Sequence, residues 1–360
     1  MTETVGTATV QTAVVGVTGY SGGELARLLL HHPRLRNKPP VFAGRVDGGE
    51  AARGGIPLGE IHPGLVDSKC SGKLRLQPFS WDLLTDLDVE VLFLATPHEQ
   101  SRAWVPEALS RGMRVIDLSG AWRLNETANR AVYNFEDEGS VQALNTQAQA
   151  AYGMPELHRD KIRGANLVAN PGCYATSIIL AVKPLVAAGL VDLGHGIIAD
   201  SKSGVSGAGK APTAKTHFMH AADNLSAYSV FSHRHTGELL EQIGIDAQSI
   251  IFTPHLLPIP RGILSTIYVR FSEPQTRAGI AHVYHSFFTG CPMVRIYDAA
   301  LPQIQYSVHT NYADIGFQLS PDGRRAVIVS CLDNLLKGAS SQAVQNLNVM
   351  LGWDESEGLE

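Results

Sequence analysis

The sequence is poor in cysteine and has no long apolar run. Its four cysteines, Cys70, Cys173, Cys291 and Cys331, are widely separated. They show neither the CxxC pairs of metal and redox sites nor the dense spacing of small secreted domains. No apolar stretch reaches the roughly 18–20 residues that a transmembrane helix needs, and the first residues lack the basic and apolar regions of a signal peptide. We therefore expect a cytoplasmic protein without disulfide bonds.

Charge is also scarce. Charged residues make up 18% of the chain and the net charge is -5, with no basic block of the kind that binds nucleic acid or an anionic membrane. The 14 histidines come without HExxH spacing or neighbouring cysteines, so we expect no metal site. A small anionic substrate is compatible with this composition, because a few local arginines are enough to hold one.

The chain of 360 residues is long for one core, and two domains are expected. In the first half, apolar strands alternate with helical patterns. The predicted strands are 11–18, 41–47, 88–97 and 114–120, and the predicted helices are 23–33 and 99–112. This β-α-β order predicts an α/β domain of the doubly wound Rossmann type over residues 1–172.

The pattern changes after residue 173. A long helical pattern at 175–190 is followed by an alternating strand at 263–271, a helix at about 278–289, and strands at 292–298 and 326–332. This succession predicts an α+β domain with a mixed or antiparallel sheet over residues 173–332. Helical spacing returns in the last segment, 333–360.

A glycine-rich turn follows the first strand and opens the first helix. In GVTGYSG, glycines let the backbone approach a pyrophosphate, and the free N–H groups at the helix start bind its charge. The spacing is GxxGxxG, which is weak alone, but the strand before it and the helix after it favour a dinucleotide loop over a plain turn. The residues assigned to the cofactor here are Gly16, Thr18, Gly19, Tyr20, Ser21 and Gly22.

Two further stretches belong to the predicted cofactor site. Arg45, at the end of the second strand, would accommodate the 2'-phosphate of NADP, while Asp47 keeps NAD open as the alternative. Four residues at the end of the strand 88–97 are expected beside the nicotinamide, and these are Ala95, Thr96, Pro97 and His98.

Cys173 stands between the turn Asn170-Pro171-Gly172 and a helical pattern. A helix start and nearby cations lower a thiol pKa, which favours a nucleophile, although a buried unreactive thiol is the more common finding. A nucleophilic cysteine needs a proton carrier, usually histidine. The segment FSHRHTGEL offers His233 and His235, with Arg234 between them and Thr236 as the expected N-cap of the next helix. Arg123 and the loop HLLPIPRG add further cations.

Together these motifs resemble the N-acetyl-gamma-glutamyl-phosphate reductases, a branch of the semialdehyde dehydrogenase family. The similar stretches run from residue 16 to 346 and include GVTGYSGGEL, FLATPHEQS, NPGCYATS, SGVSGAGK, HRHTGEL and DNLLKGAS. The resemblance implies an NADP-binding Rossmann domain completed by the segment 333–360. It also implies a catalytic and dimerisation domain over 173–332, similar to that of glyceraldehyde-3-phosphate dehydrogenase, in a homo-oligomer.

The resemblance also implies roles for single residues. Cys173 is the nucleophile, and His235 is favoured over His233 as the acid/base group. Ser203, Gly204 and Asn334 are assigned to the cofactor site, with Ser203 and Gly204 as candidate substrate contacts as well. The residues assigned to the substrate are Ser119, Arg123, Asn170, Arg234 and Arg261.

The implied activity is NADPH-dependent reduction of N-acetyl-gamma-glutamyl phosphate in arginine biosynthesis, through a Cys173 thioester. Two alternatives stay open at this point. One is reduction of the longer acyl-aminoadipyl phosphate of lysine biosynthesis. The other is a non-catalytic NADP-binding regulator that keeps the fold.

Overall fold

The computed structural model describes residues 10–65 and 74–360, so Cys70 lies outside the described residues. The strands are β1 (Thr12–Val15), β2 (Val41–Gly44), β3 (Ile56–Pro57), β4 (Arg75–Pro78), β5 (Val91–Leu94), β6 (Arg114–Asp117), β7 (Ala150–Tyr152), β8 (Leu167–Ala169), β9 (Ile197–Gly204), β10 (Ser226–Ala227), β11 (Ile250–Leu257), β12 (Ile263–Arg270), β13 (Val294–Tyr297), β14 (Ala313–Leu319) and β15 (Arg325–Leu332).

The helices are α1 (Tyr20–His31), α2 (Gly48–Ala52), α3 (Leu58–Ile61), α4 (Trp81–Asp86), α5 (His98–Ser110), α6 (Thr127–Arg130), α7 (Val141–Gln147), α8 (Pro155–Arg163), α9 (Cys173–Ala187), α10 (Phe218–Ala221), α11 (Thr236–Ile243), α12 (Arg277–Phe287), α13 (Ile304–Ser307) and α14 (Ser341–Leu351), the last preceded by a π-helical turn, Leu336–Ser340. Within the described residues, no helix is both long and apolar enough to cross a membrane.

The first sheet confirms the predicted doubly wound fold. Its strand order is β3-β4-β2-β1-β5-β6-β8-β7, and β1 pairs in parallel with both β2 and β5. Every residue of β1 and β5 is buried, as expected for strands that helices cover on both faces. The strand predicted at 41–47 ends already at Gly44, because Asp47 caps α2 by accepting a hydrogen bond from the Glu50 N–H.

The second sheet confirms the α+β prediction. Its order is β10-β11-β9-β12-β15-β14-β13, with β12 antiparallel to both β9 and β15. The predicted alternation along β12 is observed, since Ile263, Ser265, Ile267 and Val269 are buried between more exposed neighbours. Helix α9 packs its apolar side chains against one face of this sheet.

Helix α14 joins the end of the chain to the first sheet. It is buried on all sides, and polar side chains fix its position. The amides of Gln342 and Asn346 both donate to the Gly153 carbonyl, and Lys337, just before the helix, forms a fully buried ion pair with Glu156 at 2.7 Å. These contacts hold the π-helical turn, which lies next to Cys173.

Candidate active site

The glycine loop after β1 has the close backbone contacts of a dinucleotide turn. Gly16 has φ +99°, and a Cβ there would lie 2.2 Å from the Ala95 carbonyl oxygen. A Cβ on Gly22 would lie 2.1 Å from the Gly16 carbonyl oxygen. A Cβ on Gly19, by contrast, would meet nothing nearer than 3.6 Å. The two crowded glycines therefore pack helix against strand and leave the loop backbone facing the site, which fits a pyrophosphate.

Cys173 is the first residue of α9, with Gly172 as the N-cap. The π-helical turn closes on it from the other side, since a Cβ on Gly338 would lie 2.7 Å from the Cys173 Cβ. Only glycine fits at that approach. The structure therefore places the thiol at a helix start, as the sequence predicts.

Two cavities meet at Cys173. One, of about 290 Å³, is lined by the glycine loop and by Ala95, Arg123, Lys210 and Asn334. The other, of about 470 Å³, is lined by Ser203, Gly204, Lys215, Tyr228, His233 and Arg234. Cys173 and His235 line both. A cofactor in the first cavity and a substrate in the second would therefore meet at the thiol.

The two histidines of the HRH segment lie side by side, with ring centroids 4.7 Å apart. His233 sits among the rings of Tyr174, Tyr228 and Phe252, and its Nδ1 accepts the His235 backbone N–H at 3.1 Å. His235 lies against the turn before the thiol, because a Cβ on Gly172 would be 2.3 Å from its Nε2. His235 is thus the histidine that the geometry places next to Cys173.

Burial keeps these histidines neutral. It lowers the pKa of His233 to about 4, with Arg234 adding to the effect. It lowers the pKa of His235 well below the ordinary value, with His233 and Arg123 as further causes. His235 is therefore an unprotonated imidazole that can accept a proton.

The pKa of Cys173 moves in the direction opposite to the expectation from its position. Burial raises it to about 11. The Tyr174 N–H and the Arg123 charge act the other way, as a helix start and a cation should, but desolvation of the thiolate outweighs them. The resting pair is therefore a neutral thiol and a neutral imidazole.

Glu238 is a central residue that the sequence analysis missed. Its side chain is fully buried. Its Oε2 accepts hydrogen bonds from the Tyr152 hydroxyl at 2.7 Å and from the Gly172 N–H at 2.9 Å, and its Oε1 accepts one from Arg123 at 3.1 Å. It also lies 4.0 Å from the His235 Nε2. One carboxylate therefore ties the cysteine turn to the histidine helix.

The expected Thr236 cap is wrong. Helix α11 begins at Thr236 itself, and its N-cap is His235, which makes no side-chain capping hydrogen bond. His235 already has helical dihedral angles, φ -77° and ψ -10°, and its ring lies against Gly172.

Several other predicted residues are held by internal contacts. Arg123 is buried, and its guanidinium donates to Glu238 and to the carbonyls of Asn170 and Leu118. Ser119 donates to Asp117, and Arg261 lies between Glu24 and Asp333. Ser119, Asn170 and Arg261 were predicted to bind the substrate, but they are not among the described residues that line the two cavities.

The remaining predicted residues surround the site. Asn334 accepts the Gly262 N–H and donates to Ser206. Arg234 contacts the His98 ring, whose pKa burial and Arg234 lower to about 3. Thr96 hydrogen-bonds Ser101, and Pro97 caps α5. Arg45 is exposed at the end of β2. Within the described part of the chain, no group of His, Cys, Asp and Glu side chains could hold a metal ion.

Two family models and several named relatives match this chain over most of its length. The semialdehyde dehydrogenase NAD binding domain matches residues 11–165, and the semialdehyde dehydrogenase dimerisation domain matches residues 173–334. A protein of Methanococcus maripaludis named N-acetyl-gamma-glutamyl-phosphate reductase is 40% identical over 96% of this chain and 97% of its own length. Proteins with the same name from Methanocaldococcus jannaschii and Desulforapulum autotrophicum are also 40% identical, over 97% of both chains and over 98% of both chains respectively.

Solved structures resemble the chain in fold. Aspartate semialdehyde dehydrogenase II of Vibrio cholerae, complexed with ASA, has a TM-score of 0.66 at 18% identity and covers 95% of this chain and 98% of its own. A probable aspartate-semialdehyde dehydrogenase of Pseudomonas aeruginosa has a TM-score of 0.65 at 20% identity, with the same coverage.

Proposed function

The chain belongs to the semialdehyde dehydrogenase family, and we propose that it is an enzyme of arginine biosynthesis. In the proposed reaction, NADPH reduces N-acetyl-gamma-glutamyl phosphate to N-acetylglutamate semialdehyde, and phosphate is released. The chain's relatives at 40% identity carry the name of that reductase. The observation that supports the chemistry most directly is the position of Cys173 and His235, which both line the two adjoining cavities.

Cys173 and His235 begin the reaction together. As Sγ bonds to the acyl carbon, the thiol proton passes to the neutral imidazole, because the raised thiol pKa leaves little free thiolate. The Glu238 carboxylate, 4.0 Å away, stabilises the imidazolium that forms. The carbon–oxygen bond to phosphate then breaks, and Arg234 and Lys215 provide positive charge in the acyl cavity for the leaving group.

The resulting Cys173 thioester lies at the junction of the two cavities. The glycine loop and Asn334 line the smaller cavity and would hold the nicotinamide cofactor, which would supply hydride for reduction of the thioester carbon. The N–H groups at the start of α9 are placed to stabilise the oxyanion that follows. When the carbon–sulfur bond breaks, the aldehyde leaves and the departing thiolate recovers a proton from His235. Ser203 and Gly204 line only the acyl cavity, which supports substrate contact rather than the cofactor assignment.

Arg45 supports NADP over NAD. It is exposed at the end of β2, where the adenosine ribose meets a Rossmann sheet. Asp47, the residue that would favour NAD, is engaged as the N-cap of α2 through a 2.8 Å hydrogen bond from the Glu50 N–H. Replacing Arg45 by alanine should weaken NADPH binding by about tenfold and leave NADH binding unchanged. Equal loss for both cofactors would contradict the assignment.

The second sheet supports a homo-oligomer. On the face opposite α9, Ile198, Ile251 and Tyr268 are 45%, 43% and 44% exposed, and they adjoin one another across β11, β9 and β12. Such an apolar patch suits a subunit contact, and Ile198→Asp should dissociate the oligomer in sedimentation experiments.

The described cysteines are unpaired, which fits the reducing cytoplasm in which we place the enzyme.

The substrate is tested in the reverse reaction. N-acetylglutamate semialdehyde, phosphate and NADP are compared with the homologous semialdehyde that is one carbon longer, and formation of NADPH is followed. We expect a higher kcat/KM for the N-acetylglutamate compound. Preference for the longer compound, or NADP binding without turnover of either, would overturn the proposal.

A further inference from the structure

A lysine of the catalytic domain reaches across to the glycine loop of the nucleotide-binding domain. Lys210 follows the 3₁₀ turn Val205–Ala208 that continues from β9. Its Nζ donates a 3.0 Å hydrogen bond to the carbonyl oxygen of Thr18, which lies between Gly16 and Gly19 in the loop. Lys210 lines the same cavity as four residues of the loop, Gly19, Tyr20, Ser21 and Gly22.

Lys210 differs from the other cationic side chain of this cavity, Arg123, in its partners. The glycine loop supplies backbone N–H groups but no cationic side chain. Arg123 also lines the cavity, yet its guanidinium is engaged by Glu238 and two carbonyl oxygens. Lys210, in contrast, has no carboxylate within 4.0 Å among the described residues. Its ammonium group faces the loop with a single carbonyl partner, and phosphate is a much stronger acceptor than a carbonyl.

We propose that Lys210 binds the pyrophosphate of the dinucleotide. This inference rests on the proposed nicotinamide cofactor and adds a residue from the opposite domain to its site. An ammonium group carries three donors, so Lys210 can keep its bond to Thr18 and donate to a phosphate oxygen beside the loop. Ala208 and Thr213, in the same segment as Lys210, line the acyl cavity. The hydrogen bond between Lys210 and Thr18 therefore also stabilises one side of the substrate site.

Direct titration of NADPH by protein fluorescence, without substrate, measures the contact. Lys210→Ala should raise the Kd for NADPH by about tenfold, the usual worth of a charge-assisted hydrogen bond at a partly exposed site. Lys210→Arg should restore most of the affinity, because it keeps the charge. Lys215→Ala is the matched control: Lys215 belongs to the same segment but lines only the acyl cavity, so its loss should leave the Kd unchanged.

Phosphorus NMR of bound NADP identifies the phosphate. The pyrophosphate resonances should shift in Lys210→Ala, while the 2'-phosphate resonance keeps its position. An unchanged Kd in Lys210→Ala, an equal effect in Lys215→Ala, or a shift confined to the 2'-phosphate would each overturn the inference. Failure of the wild-type protein to bind NADPH would instead refute the proposed function.

Discussion

Replacing Glu238 by glutamine should disable the reaction while leaving the cofactor site intact. Its buried carboxylate accepts the Gly172 N–H at 2.9 Å, the Tyr152 hydroxyl at 2.7 Å and the Arg123 guanidinium at 3.1 Å. Glutamine has nearly the same shape but no charge, and its NH₂ group would face one of these donors. If the NH₂ group replaces Oε2, the hydrogen bond from the Gly172 N–H that fixes the turn before Cys173 is lost. If it replaces Oε1, the hydrogen bond from Arg123 is lost.

The magnitude follows from burial. Removing one partner of a buried ion pair costs about 3–5 kcal/mol of stability, because Arg123 is left without a counter-charge. For catalysis, a misplacement of the reacting groups by about 1 Å lowers the rate roughly a hundredfold, and the histidine loses the carboxylate that stabilises its protonated form. We therefore expect kcat to fall about a hundredfold, with the Kd for NADPH changed by less than about twofold.

The control lies one turn further along the same helix. Glu241 also accepts three hydrogen bonds, from Asn125, Glu126 and Asn129, but it lines neither of the two cavities at Cys173. Steady-state kinetics and fluorescence titration of NADPH are measured on Glu238→Gln and Glu241→Gln, with circular dichroism to verify folding. A folded Glu238→Gln protein that keeps wild-type kcat, or equal losses in both variants, would refute the reasoning.

Three further predictions follow from the same geometry. Because burial raises the pKa of Cys173 to about 11, its alkylation by iodoacetamide, corrected with Cys173→Ser, should accelerate about tenfold per pH unit between about pH 7 and pH 10; a rate already constant near neutrality would contradict it. Gly338→Ala should lower kcat in a folded protein, since the new Cβ would lie 2.7 Å from that of Cys173; wild-type kinetics would contradict this. The folded pKa values of His98 and His233 are lowered to about 3 and about 4 from 6.5, so the unfolded chain binds more protons between those values and 6.5. The free energy of unfolding, measured with urea, should therefore fall with decreasing pH from about 6.5 to about 4, by up to about 1.4 kcal/mol per pH unit for each histidine, and a flat profile would contradict the assignment.

Local pattern was enough to predict much of the architecture. The nearly all-apolar strands β1 and β5, the glycine loop between β1 and α1, and the strict alternation along β12 each follow from sequence spacing within one element. The three-residue strands β7 and β8 were missed because they are too short to show a period. Strand β9 was missed because its second half, DSKSG, is polar.

The contacts that complete the site could not be predicted from local sequence patterns, because they join residues far apart in the chain. Glu238 meets Gly172 across 66 positions of the chain, and Lys210 meets Thr18 across 192. Gly338 matters only because the π-helical turn brings it against Cys173. The direction of the Cys173 pKa was also hidden, since a helix start predicts a low value and only the packed structure shows the desolvation that raises it.

The central claim is that Cys173 carries the acyl group. Its most direct test is to mix the enzyme with N-acetylglutamate semialdehyde and NADP without phosphate, so that the thioester accumulates. We expect a burst of about one NADPH per active site, and mass spectrometry of the digested protein should find the N-acetylglutamyl group on the peptide that contains Cys173. Cys173→Ser should give neither signal while still binding NADPH. Acylation of another residue, or wild-type turnover by Cys173→Ser, would contradict the account.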